Sequence, residues 1–194
     1  ARKRPDYHSY IIVDVNNPLN RGRIAISDYG IDAFILTEKG PLGIHPKDGI
    51  GSRTYEIYLG TRDLEELREH KFCDGVDIDE DQKKKKKERK KTNERTFNLS
   101  NGSTLRTYDL AIVTTGEFHN GNGGSIPAAE TVVMNTVNAI EVIYENEFAV
   151  HFDLLPPKIY TDPSTDPFTS CGGSRPFQAA EAVDDNFMMG EYDI

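Results

Sequence analysis

LRTYDLAIVTTGEFHNGNGG, residues 105–124, and ENEFAVHFDLLPPKIYTDPSTDPF, residues 145–168, decide how this chain is read. The first stretch opens as a nearly continuous apolar run, the pattern of a strand buried on both faces. Its second half, GEFHNGNGG, is so rich in Gly and Asn that it reads as a loop. Between the two stretches, Ser125 and Pro127 open a helix predicted to run to about Asn146, because Ser caps helix starts and Pro is tolerated in the first turn. Val133, Val137, Ile140 and Tyr144 fall at steps of four, three and four, which predicts one apolar stripe on that helix. EFAVHFDLLP then returns as a strand. Strand, helix and strand in that order predict parallel strands joined by a right-handed crossover. Beyond Pro156 the chain turns irregular; QAAEAVDDNF is a short helix candidate, and GEYDI reads as the first residues of another strand.

Working outward toward the amino terminus, residues 71–104 form a polar bridge with no apolar periodicity, an expected exposed linker. Before it, SYIIVDV, RIAISDYG, DAFILTEKG, GIHPKDG and RTYEIYLG alternate as short strands, most of them closed by Gly, Pro or Asp turn chemistry. They predict a small antiparallel meander. Ile24, Ile26, Phe34, Leu36, Tyr55, Ile57 and Leu59 recur at period two and are expected to form its buried face. TRDLEELREH is a weaker helix candidate.

Charge is distributed unevenly. The chain of 194 residues carries a net −9, yet residues 83–91, KKKKKERKK, hold eight of the 23 basic residues and one of the 32 acidic ones. The remainder has 15 basic residues against 31 acidic, a net of −16. Such a body argues against general nucleic-acid binding, which needs a basic surface for phosphate. No apolar run is long enough to span a membrane. Two cysteines, Cys73 and Cys171, make neither a disulfide framework nor a C-x-x-C pair. The chain opens ARKRPDYH, without Met or an apolar leader, and is expected to be a piece of a longer protein.

Three segments, TYDLAIVTTGEF (107–118), VNAIEVIYENEFAVHF (137–152) and IYTDPSTDPF (159–168), stand in an order that resembles the opening of the catalytic domain in reprolysin-like (adamalysin-type) metzincin zinc metalloproteases. The resemblance implies an α+β chain: a propeptide-like β-rich module over 1–72, a Lys-rich linker over 73–103, and the amino-terminal α/β part of a catalytic domain over 104–194. It also implies a secreted zymogen, a zinc cofactor, and protein or peptide substrates for the whole enzyme. Family chemistry rests on HExxHxxGxxH, whose three His hold zinc while its Glu takes a proton from the metal-bound water. None of the five His here (His8, His45, His70, His119, His151) belongs to such a motif. No catalytic residue is therefore assigned, and the 194 residues alone are expected to be inactive. A non-catalytic binding or adhesion module on the same scaffold is the alternative.

The remaining candidates each have a plainer reading. HKFCDGV resembles the family's cysteine-switch words, in which Cys73 would be a zinc ligand that shuts out water; Asp74 departs from them by standing where Gly is usual. A structural or solvent-facing thiol, or pairing with Cys171, stays open. Lys83, Lys84, Lys85, Lys86, Lys87, Arg89, Lys90 and Lys91 offer a trypsin-like processing protease an accessible basic stretch, or are simply a solvated linker. Glu117 and His119 read as polar groups that settle a turn rather than an acid–base pair. Asp162 and Asp166, each before a Pro, lack calcium-loop spacing and read as turn formers. His151 alternates within a strand and reads as a satisfied sheet residue.

Overall fold

The computed structural model describes residues 6–60, 104–168 and 175–194. Five strands, β1 (Tyr7–Val13), β2 (Arg21–Ser27), β3 (Gly30–Thr37), β4 (Gly40–Pro46) and β5 (Tyr55–Leu59), form one antiparallel meander in sequence order. Two of its hairpins repeat one device. Ser27 and Thr37 each accept a hydrogen bond from the N–H two residues on (Tyr29 and Lys39) and donate to the carbonyl of the closing glycine, Gly30 and Gly40. Both glycines sit at φ 118°, a conformation that L side chains rarely adopt.

Register separates the two faces of this sheet. Ile24 stands opposite Ala33, which pairs with Ile44 and then Ile57, whereas Phe34 stands opposite Arg23. Phe34 and Leu36 therefore do not share a face with Ile24, Ile26, Tyr55, Ile57 and Leu59, and the expectation of one buried face is corrected. Ile57 is 68% exposed and Ile26 44%. Period-two counting finds alternation within a strand, but the offset between strands is set by turn length.

After the bridge come β6 (Arg106–Leu110), β7 (Val113–Thr114), α1 (Gly116–Gly121), α2 (Ile126–Phe148), β8 (Val150–Leu154), β9 (Lys158–Ile159) and α3 (Arg175–Asp184). β6 pairs in parallel with β8, and β7 with β9, so the predicted parallel return of the chain is present. Asp193 and Ile194 donate backbone hydrogen bonds to the Asp109 carbonyl, and Ile194 accepts one from Ala111, placing the GEYDI segment along the other edge of β6. The apolar run 105–115 is two strands rather than one. Arg106, Thr107 and Asp109 are exposed, so β6 is not covered on both faces by the described residues.

GEFHNGNGG, expected as a loop, begins with helix α1. Thr115 caps it by accepting from the Phe118 N–H at 3.1 Å, which offsets the low helix propensity of Gly and Asn. Ser125 caps α2 in the same way, with Pro127 in the first turn, as the sequence predicted. Ala149 ends that helix in the left-handed region at φ 53° and turns the chain directly into β8. The small core lies between α2 and the parallel strands: Ala129, Val133 and Ile159, with Ile112, Phe118, Ile126 and Leu154 packed around them. Val133 and Val137 are buried as expected, but Ile140 and Tyr144 are about 40% exposed. Buried Asn138 and Glu141 replace them, because α2 carries the meander on a second side.

Candidate functional site

Two features lie where the meander meets α2. The first is a charged cluster. Glu141 and Glu145 are one helical turn apart on α2 and therefore share a face. β8 leaves α2 through the sharp turn at Ala149, which brings His151 back alongside them. His151 Nδ1 lies 2.8 Å from Glu145 Oε1 and 3.0 Å from Glu141 Oε1. From the meander, Arg23 on β2 reaches across with Nη2 at 2.7 Å from Glu145 Oε1 and Nη1 at 3.3 Å from Glu141 Oε2. The Phe152 N–H donates to Glu141 Oε1 at 3.3 Å.

Burial pushes the Glu141 carboxyl above the ordinary range, and the Arg23 guanidinium, His151 and the Phe152 N–H pull it back only in part. Beside the cluster, the Tyr7 hydroxyl is buried without a hydrogen-bond partner among the described residues, and burial followed by the nearby Asp32 and Glu141 carboxylates pushes it well up. Ser9 donates to the Asn138 side-chain oxygen and completes this polar seam.

Glu141, Glu145 and His151 each offer an atom within 4.8 Å of the others, close enough to share a cation. The cation present there is the guanidinium of Arg23, which engages both carboxylates. A zinc site of the kind the resemblance implies needs three His and an open coordination position. The described residues do not fit it, so no catalytic step is derived through a metal.

The second feature is a groove of about 460 Å³ beside the charged seam. Phe34, Ile50 and Tyr58 form its meander wall, and Val132, Ile140 and Ile143 its α2 wall. Tyr58 can lie over the sheet only because position 43 is glycine, where a Cβ would come within 2.2 Å of the ring. Asp32 and Asn135 also line the groove.

The Asp-Pro loop proves to be a clasp on the first helix. Asp162 Oδ1 accepts from the Ser164 N–H at 2.8 Å, and Asp166 Oδ1 from the Phe168 N–H at 2.9 Å, the expected turn chemistry. Asp166 does more: its Oδ2 accepts from the Gly116 N–H at 2.7 Å, fifty residues away in sequence. Position 116 must be glycine, since a Cβ would lie 2.3 Å from the Pro163 nitrogen. Glu117 is exposed, whereas His119 is buried on α1, its ring 3.1 Å from the Asn120 side-chain oxygen. His119 does settle the turn, through its carbonyl, which accepts from the N–H groups of Asn122 and Gly124.

Cys73, Cys171 and the basic run Lys83–Lys91 lie outside the described residues. The readings of Asp162, Asp166 and His151 were available from sequence. The partnership of His151 with Glu141, Glu145 and Arg23 was not. Its only trace is a Glu-x-x-x-Glu pair late in a helix, which ordinarily marks a solvated face.

No described helix is long and apolar enough to cross a membrane. No curated protein and no solved structure matches the chain. The unit that holds α1, α2 and their clasp does match: over residues 104–182 the chain is similar to the metallo-peptidase family M12B, reprolysin-like.

Proposed function

We propose that this chain is the propeptide end and amino-terminal catalytic subdomain of a secreted, zinc-dependent endopeptidase made as a zymogen. One observation carries the reading. The three sequence words that resemble the family, 107–118, 137–152 and 159–168, meet in one unit, through the β6–β8 pairing and the Asp166 clasp on Gly116. The family match covers this unit. Residues 1–72 are the pro-module, 73–103 the linker that a basic-specific protease would cut at Lys83–Lys91, and Cys73 the latch. Peptide-bond hydrolysis belongs to the whole protein, because the motif that would hold the zinc, HExxHxxGxxH, is not among these 194 residues. The substrates are proteins or peptides.

The test is made on the product of the complete reading frame. It is expected to contain one zinc per molecule, to hydrolyse denatured protein after cleavage within Lys83–Lys91, and to lose latency in Cys73→Ser. A product that lacks HExxHxxGxxH and cleaves nothing overturns the protease. An unchanged latency in Cys73→Ser overturns the latch alone.

A further inference from the structure

The groove between the meander and α2 has an uneven chemistry. Its walls are apolar and aromatic, its volume falls within the range of small-molecule sites, and none of its lining residues carries a positive charge. One carboxylate, that of the half-buried Asp32, lines it. His45, the imidazole whose charge acts on it, is held by Glu56 at 2.8 Å. A carboxylate drawn partly out of water is costly, and a ligand that brings a charged donor offsets that cost.

We propose that this groove binds a small organic amine with a compact apolar body, its ammonium donating to Asp32 and its body covering Phe34, Tyr58 and Ile143. Charge complementarity selects this class. A neutral apolar molecule would leave the carboxylate without a donor, and an anion would meet it with no cation among the lining residues to offset it. Burial already pushes the Asp32 carboxyl upward, with His45 opposing, so an ammonium beside it would gain from the same desolvation. Because both walls contribute, the ligand would also hold the meander on α2. None of this depends on protease activity.

The probe is 2-phenylethylamine, with 2-phenylethanol as its uncharged counterpart, titrated into the full chain and followed by amide and methyl NMR shifts. The amine is expected to saturate, to shift Ile143, Val132 and Ile50, and to bind at least about tenfold more weakly to Asp32→Asn, an amount typical of a lost charge-assisted hydrogen bond. The alcohol should bind both proteins equally. Ala139→Phe, which fills the groove from α2, should abolish amine binding without altering Asp32. Equal amine affinity in wild type and Asp32→Asn, saturation with shifts elsewhere, or survival of binding in Ala139→Phe each overturns the proposal. Should Asp32→Asn not fold, the Ala139→Phe and alcohol comparisons decide.

Discussion

α2 is packed on two sides by opposite kinds of chemistry. Toward the parallel strands it presents Ala129 and Val133, which join Ile159 in the apolar core. Toward the meander it presents Asn138, Glu141 and Glu145, which meet Ser9 and Arg23. Apolar contact is non-directional and tolerates small shifts, while a buried ion pair stabilises only at one geometry and leaves bare charges when it opens. The first seam is therefore built as a permanent core, the second as a joint with a defined docked position. If the meander is the pro-module proposed above, a joint of that kind is what would let it leave.

The largest expected effect comes from the charged side. Arg23→Ala leaves Glu141 and Glu145, 8% and 23% exposed, with His151 as their one positively charged partner among the described residues and the Phe152 N–H on Glu141. Removing one member of a buried pair costs about 3–5 kcal/mol. Hydrogen exchange should quicken in β1 and β2 while the amides of β6 and β8 keep their protection. Arg23→Met combined with Glu141→Leu should recover most of the loss, because apolar groups of similar volume can replace a buried pair at little cost. If the double variant is as unstable as the single, the seam is not electrostatic in origin and the contrast between the two sides of α2 fails.

The apolar side yields a smaller and more widely spread effect. Ile159→Ala removes methylenes from the core and should cost about 2–3 kcal/mol, the lower part of the range for such truncations, since the core is small and its rim can relax. Protection should then fall in α2, β7 and β9 together. Loss confined to the meander would reverse the assignment of the two seams.

These contrasts also show what the sequence could and could not reveal. The strand–helix–strand order, the Ser125 cap, Pro127 and the Asp-Pro turns were legible because each is a local signal within a few residues. The α1 helix was not, because its start depends on one threonine cap and on Asp166 reaching back to Gly116. The second side of α2 was hidden for a similar reason. Ile140 and Tyr144 complete an apolar stripe only if the helix has a single neighbour, whereas Asn138 and Glu141 are buried by residues more than a hundred positions away. The outer meander face was misassigned for want of register, which period-two alternation does not contain.

The smallest expected effect is one of pH, and its sign separates burial from attraction at the charged seam. The Glu141 carboxyl is pushed up on folding, burial outweighing Arg23 and His151. Between the ordinary glutamate range and that raised value, the folded chain keeps a proton that the unfolded chain has released. Stability from this group is thus fully present below the ordinary range and declines as pH rises through the raised one. Glu141→Gln has no such proton, so the stability of wild type relative to the variant should fall with rising pH across that window. Asp32 shifts in the same direction but is common to both proteins and cancels in the difference. Urea midpoints measured side by side from about pH 4 to pH 7, the span over which a raised carboxyl titrates, read the slope directly. A wild type that instead gains on the variant as pH rises would mean that Arg23 holds Glu141 below its unfolded value, making the joint an attractive lock rather than a strained one.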